Sequence, residues 1–246
     1  MMSLKKIFKM KKNIYAKSEL VQLKNIYQST IAFEKFLIQN KALNKNTKTV
    51  LDAGCGFGSQ IQYLSGKYPL INFTGWDYLK KKINKAKHLN KNPKNKFYVK
   101  NILNIKKKTN FDLAYSIQTF CCFKDIEKVL KSFTKINSEW IAINSLFYDG
   151  PLDVLIHIRD NENPNLKDDN IDSDFNIHSL QKTKKAFLKG GYKLTKIKKF
   201  FPTKKINKPN KKRGSYTVKT DFSKFTLFSG PVHLPWYFLL AKKIKN

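Results

Sequence analysis

Arginine is nearly missing from this chain: Arg159 and Arg213 stand alone among 49 basic residues, so almost every positive charge is a lysine. The planar guanidinium reads guanine edges and clamps phosphate through paired bonds, so its scarcity argues against sequence-specific nucleic-acid recognition. Acidic residues are also few, at 17, which leaves a net charge of +32. An excess of that size predicts salt-sensitive adhesion to RNA, DNA or anionic lipid in vitro without naming a substrate. The lysines come with many Asn, Ile, Phe and Tyr residues, all with AT-rich codons, so drift in base composition is an alternative to function as the source of the charge.

Cysteine is scarce as well. Cys55, Cys121 and Cys122 make no metal-ligand spacing, and the adjacent pair is poorly shaped for a disulfide, which predicts a reduced, cytoplasmic setting and no metal. No apolar run approaches the ~18 residues of a membrane span, and the basic stretch Met1 to Lys12 lacks the apolar centre of a signal peptide. What remains is ample for a core, with 41% hydrophobic and 13% aromatic residues. A length of 246 residues suits one α/β domain with elaborations.

The most informative segment is Val50-Leu51-Asp52-Ala53-Gly54-Cys55-Gly56-Phe57-Gly58-Ser59. An apolar run ends in an acidic residue, three glycines follow at alternate positions, and a helical pattern begins. Such a turn can take positive φ and bring backbone against a ligand, while Asp52 at the strand end faces an ammonium or a hydroxyl. The dinucleotide spacing G-x-G-x-x-G would place its third glycine at position 59, which is Ser59, so a nicotinamide cofactor is disfavoured. A second apolar segment, Ile71 to Trp76, ends in Asp77, 23 residues beyond Gly54, where doubly wound folds keep the acid that bonds a ribose.

Apolar periodicity predicts a helix over Ser18 to Leu43, strands at Thr49 to Asp52, Phe73 to Asp77, Lys96 to Val99, Phe111 to Ser116 and Trp140 to Leu146, and intervening helices at Ser59 to Tyr68, Lys80 to Leu89 and Ile126 to Thr134. Beyond the fifth strand, Val154 to Arg159 alternates like a strand and Asp160 to Asp174 reads as an acidic loop. A helix at Ser179 to Lys189 stops at Gly190-Gly191, and Tyr192 to Phe201 supplies a sixth strand. Pro202 to Arg213 reads as a mobile loop, Ser215 to Lys219 with Phe225 to Phe228 as a hairpin, and Trp236 to Ala241 as a last strand. The expected fold is α/β: a doubly wound, mostly parallel seven-stranded sheet with helices on both faces. An N-terminal basic helical cap (1–48) precedes a domain (49–246) with insertions at 150–178 and 202–230, the latter carrying the C-terminal hairpin.

The spacing Asp-x-Gly-x-Gly-x-Gly and this strand order resemble the class I S-adenosylmethionine-dependent methyltransferases. The resemblance implies S-adenosylmethionine as cofactor and a last strand that runs antiparallel. It places Gly54, Cys55, Gly56 and Gly58 under the methionyl part with Asp52 near its amino group, and sets Asp77 on the ribose. Tyr78, Asn101 and Ile102 fall toward the adenine; an amide at 101 replaces a common acid but still accepts a hydrogen bond. Ser116 and Gln118, closing the fourth strand, face the methyl group and the incoming substrate. The N-terminal helix covers the cofactor.

Acceptor chemistry is less marked. The run Ser116-Ile117-Gln118-Thr119-Phe120 lacks the prolines that exocyclic-amine methyltransferases place there, and Cys121 follows Phe120 rather than the proline common before a C5-attacking cysteine. His157, within the alternating segment, and Tyr148, just past the fifth strand, are the candidate bases, with a structural histidine as the alternative reading. Loose likeness of 144–150 and of the C-terminal segments to bacterial enzymes of glycan and surface-polysaccharide synthesis favours methyl transfer to O or N of a small-molecule or glycan-type acceptor. The alternatives are an RNA methyltransferase, from the charge, and a non-catalytic binding module of the same fold.

Overall fold

The structure is a computed structural model that describes residues 20–106, 109–159, 172–210 and 214–245. Its spine is a sheet in the order β3-β2-β1-β4-β5-β13-β9. These strands are β1 (Thr49–Ala53), β2 (Asn72–Asp77), β3 (Lys96–Val99), β4 (Leu113–Ile117), β5 (Trp140–Tyr148), β9 (Tyr192–Lys199) and β13 (Trp236–Lys243). β1 to β5 pair in parallel, whereas β13 is antiparallel to both β5 and β9. The antiparallel last strand expected from the family resemblance is therefore present, wedged between β5 and β9. A short strand β8 (His178–Ser179) pairs in parallel with the end of β5.

Strand side chains alternate between two apolar layers. One joins Val50, Phe73, Tyr115 and Phe238 to helices α1 (Gln28–Gln39), α2 (Ser59–Lys67) and α3 (Lys80–Leu89). The other joins Leu51, Trp76, Ile143 and Leu239 to α4 (Ile126–Phe133) and α5 (Leu180–Lys189). Helices α4 and α5 begin where the sequence supplies side-chain caps: Asp125 accepts from the Glu127 and Lys128 amides, and Ser179 from the Lys182 amide.

Three expectations are corrected. The single helix expected over Ser18 to Leu43 is broken and shorter: residues 20–24 are helical, the chain is interrupted at 25–27, and α1 starts after an extended Tyr27 and stops at Gln39, where Lys41 turns to φ 61° and the Ala42 amide returns to the Leu37 carbonyl. Asn25 and Ile26 are weak helix formers, and an Asn-Lys exit closes the far end, so periodicity continued past the true boundaries. Ser18 lies outside the described residues. Residues 160–171 of the expected acidic loop lie outside the described residues, but its last three residues are a strand: β7 (Asp172–Asp174) pairs antiparallel with β6 (His157–Arg159), and Val154 forms only an isolated bridge to Ile177. The loop after β9 is tied down: Gln28 Oε1 accepts from the Thr203 and Lys204 amides and the Thr203 hydroxyl, and Ile206 bonds with Thr217. The expected hairpin is β10 (Ser215–Thr220) with β11 (Ser223–Ser229), extended by β12 (Val232–His233).

Helix α1 is fastened to α2 through a buried charge. Glu34 accepts from the Tyr63 hydroxyl at 2.7 Å, the Lys67 ammonium at 2.6 Å and the Tyr68 hydroxyl at 2.6 Å. Burial pushes the Glu34 carboxyl up, but the bonds from Lys67, Tyr68 and Tyr63 outweigh it and leave it below its usual value. A carboxylate held low contributes stability above its unfolded value, near 4.3, and loses it as pH falls through the depressed folded value. Glu34→Gln is therefore expected to lower stability at neutral pH by about 1 to 3 kcal/mol and to flatten the loss between pH 5 and 3. Urea unfolding of both proteins across that range checks it.

Candidate functional site

The glycine turn joins β1 to α2 at the carboxyl end of the sheet. Gly54, Gly56 and Gly58 take φ of 85°, 54° and 76°, the left-handed region that a Cβ disfavours. The Gly54 and Cys55 amides both donate to the Trp76 carbonyl of β2, which folds the turn back over the neighbouring strand. A Cβ on Gly54 would run into the side chain of Thr119, which follows β4. One on Gly58 would meet Asn90 Nδ2 at 2.8 Å and Phe97 Cε1 at 2.9 Å. Gly54 and Gly58 are thus required by both backbone sign and space, and Gly56 by backbone sign.

Two carboxylates flank the turn. Asp77, at the end of β2, accepts from the Gly56 amide at 3.1 Å and the Leu79 amide at 2.9 Å, so it fixes the turn's shape while a carboxylate retains further lone pairs. Asp52 is 1% exposed. Its Oδ2 is buried with no partner in full hydrogen-bond geometry among the described residues, and the equally buried Tyr115 hydroxyl is the polar group that faces it. Burial pushes the Asp52 carboxyl up to about 8; the Tyr115 hydroxyl pulls against this and the Asp77 charge adds to it. An orphaned carboxyl under a backbone cradle is a receptor for a cation.

The remaining sequence candidates fall in different places. Tyr78 is 60% exposed at the rim. Asn101 Oδ1 accepts from the Leu103 amide, capping a short 3-10 turn (Ile102–Asn104) in which Ile102 is buried. Ser116 is buried and donates to the Ala53 carbonyl at 2.7 Å, stitching β4 to β1 beneath the turn. Gln118 leaves β4 at φ 56°, its amide bonded to the Asn144 carbonyl. Tyr148 is exposed at the end of β5, its ring against Gly150. His157 sits on the β6–β7 hairpin with its side chain 52% exposed and Nδ1 3.1 Å from Asp174 Oδ1. The structure therefore gathers the glycines, Cys55, Asp52, Asp77, Ser116 and Gln118 at the carboxyl ends of the inner strands β1, β2 and β4 and sets His157 on the β6–β7 hairpin.

The model of the family described as a methyltransferase domain matches residues 44–216, a span that holds the glycine turn, both carboxylates and β1 to β9. The chain belongs to this methyltransferase family. It is an S-adenosylmethionine-dependent methyltransferase. Its fold is similar to that of a methyltransferase from Methanosarcina mazei, at TM-score 0.57 and 14% identity, over 85% of this chain and 98% of that one. Magnesium protoporphyrin IX methyltransferase from Synechocystis, solved with SAH bound, gives TM-score 0.54 and 12% identity over 88% and 82%. A methyltransferase solved with the Trm112 activator of Haloferax volcanii gives 0.57 and 14% over 89% and 94%. No curated protein matches the chain in sequence.

Beside the turn, the methyltransferase buries polar groups that the sequence did not signal. Asn144 Oδ1, Ser145 Oγ, both amide atoms of Asn176, His178 Nδ1 and Trp236 Nε1 lack hydrogen-bond partners among the described residues. They surround the 3-10 turn Phe120–Cys122 that follows Thr119. The Asn176 amide donates to the Cys121 carbonyl, His178 Nε2 lies 3.2 Å from the Phe120 carbonyl, and Trp236 packs in one apolar cluster with Cys121 and Leu146. Native proteins leave few such atoms unpaired, which singles out this cluster among the described residues. Three of them come from β8, the loop before it, and β13, elements far along the chain from the glycine motif, so no local pattern marked them.

Proposed function

We propose that this methyltransferase carries a methyl group to O or N of a small-molecule or glycan-type acceptor, held by uncharged polar groups. The observation that carries the acceptor class is the orphaned set Asn144, Ser145, Asn176 and Trp236, none of which bears a charge. A site lined this way satisfies hydroxyls and amides, whereas a phosphate-bearing polymer would leave its charge unmatched there. The lysines do not enter this set, so the +32 charge supports adhesion and not acceptor choice.

On the cofactor side, the fit rests on the buried Asp52 oxygen and on the left-handed turn at Gly54, Gly56 and Gly58 beside it. Asp52 takes the methionyl ammonium, the turn Gly54-Cys55-Gly56-Gly58 passes beneath it, and Asp77 offers its spare lone pairs to the ribose. Tyr78, Asn101 and Ile102 border the adenine, and Ser116 with Gln118 close the floor near the reacting carbon. When bound, S-adenosylmethionine supplies a methyl already activated on sulfur. The protein's part is alignment and exclusion of water, which contribute several kcal/mol or more.

The test incubates the protein with methyl-labelled S-adenosylmethionine and fractionated cell extract. Label is expected in low-mass or glycan material, and its incorporation should be insensitive to salt between 50 and 200 mM. Label confined to RNA, with incorporation collapsing over that salt range, would replace this reading with the RNA alternative. Failure to bind S-adenosylmethionine at millimolar concentration would leave only a binding module.

A further inference from the structure

His178 was not among the residues that the sequence pointed to, yet it is the histidine placed for chemistry. It is 0% exposed, on β8, paired in register with Phe147 at the end of β5. Its Nε2 lies 3.2 Å from the Phe120 carbonyl oxygen. A carbonyl only accepts, so Nε2 carries the hydrogen and Nδ1 presents a bare lone pair in the neutral ring. That lone pair is buried and has no hydrogen-bond partner among the described residues. Phe120 is the residue after Thr119, whose side chain packs against Gly54, so one turn of chain both touches the glycine turn and fixes the tautomer of His178.

We infer that His178 Nδ1 is the general base of the reaction and that the acceptor atom is a hydroxyl oxygen, an inference that rests on the proposed neutral acceptor. The balance is simple. As the acceptor oxygen forms its bond to the methyl carbon, its proton passes to Nδ1 and the carbon–sulfur bond breaks with its electron pair remaining on sulfur. The imidazolium then releases the proton to solvent. A hydroxyl needs this help because the positively charged ether oxygen it would otherwise become is strongly acidic, and a base positioned at hydrogen-bond distance contributes typically 10²–10⁴-fold.

The surroundings keep the ring neutral and so ready to accept. Burial pulls the His178 imidazole below its usual value; the Phe120 carbonyl and the Asp153 and Asp125 carboxylates pull it up, and Lys182 pulls it down. Asp153 is itself held by the Lys182 ammonium at 2.9 Å and the Ser179 amide, which leaves its charge largely answered. The segment Phe175–Ile177 that leads into His178 is anchored by the Val154 bridge and by bonds to the Ile156 and Cys121 carbonyls, which fixes the ring's place beside Asn176.

Nitrogen NMR of the histidine-labelled protein comes first, because it needs neither acceptor nor substitution. His178 is expected as the neutral tautomer with hydrogen on Nε2 from pH 6 to 8; a ring with hydrogen on Nδ1 overturns the assignment. Methyl transfer from labelled S-adenosylmethionine into the extract fractions is then compared for the native protein and His178→Gln. The variant should lose incorporation about 100-fold or more, keep its affinity for S-adenosylhomocysteine within about twofold, and His178→Gly should regain activity with added imidazole. The native rate should fall with acid as Nδ1 takes a proton. Ether-linked label that persists in His178→Gln, or that disappears in His157→Gln instead, would sink the base while leaving the acceptor class standing. Label found on nitrogen would sink the hydroxyl, and label only in RNA would sink the acceptor reading itself.

Discussion

Asp52→Asn is expected to make the unliganded protein more stable at pH 8 and a poorer binder of S-adenosylmethionine. The reason is one buried carboxyl whose value is raised to about 8 by removal from water. A raised carboxyl gives the folded state an advantage that is complete below the unfolded value, near 3.9, and is lost as pH climbs to the folded value. Between about pH 4 and pH 8 the native protein should therefore lose on the order of 4 kcal/mol through this group alone. The amide variant does not titrate, so it escapes that slope and should gain about 2 to 4 kcal/mol at pH 8. Urea unfolding at pH 5 and pH 8 measures the difference; equal slopes for the two proteins would show that Asp52 is already ionised and satisfied.

Binding should move the opposite way. An ammonium delivered beside Asp52 restores its charge, so cofactor affinity should fall up to about tenfold for each pH unit below 8. Calorimetry with S-adenosylhomocysteine from pH 6 to 8 would show that dependence in the native protein and its loss in Asp52→Asn, with affinity at pH 8 lowered about tenfold or more. The ligand's own amine titrates in the same window, which makes the difference between the two proteins the informative quantity. A cradle that is costly to fold and favourable to fill explains why so unfavourable a residue occupies the end of β1.

Gly54→Ala should have the second large effect. At φ 85° an added Cβ costs about 1–2 kcal/mol in the backbone, and its collision with Thr119 adds about 1–3 kcal/mol of overpacking. A total of about 2 to 5 kcal/mol would lower Tm by roughly 5 to 15 °C for a chain of this size. Cofactor binding should disappear with it, because the turn and the Thr119 segment cannot both hold their positions. Adding Thr119→Ala should recover the packing share and leave the backbone share, so the two substitutions should be non-additive by about 1 to 3 kcal/mol. Additive losses would mean that the strain is elsewhere.

Short parallel strands and the glycine turn were legible in the sequence because local rules produce them. Apolar runs bounded by turn residues made β1 to β5, and three glycines at alternate positions had no cheaper explanation than positive φ. The double duty of Asp77 was hidden, since its bond to the Gly56 amide depends on how closely β2 lies beside the turn. His157 was read from its alternating neighbours, but alternation alone does not tell a strand over a crevice from one on a flap. His178 lies in the unremarkable run Asn176-Ile177-His178-Ser179 and acquires its role from a carbonyl 58 residues earlier. The Ser18 to Leu43 helix was overdrawn because periodicity carries no information about where tertiary contacts release the chain.

Gln28 ties the start of helix α1 to the loop that follows β9. One amide group on the first helix accepts three hydrogen bonds from Thr203 and Lys204, 175 and 176 residues later. Helix α1 and the loop after β9 are buttoned together through that single oxygen, so a change that frees the loop removes three hydrogen bonds from the start of the helix at once.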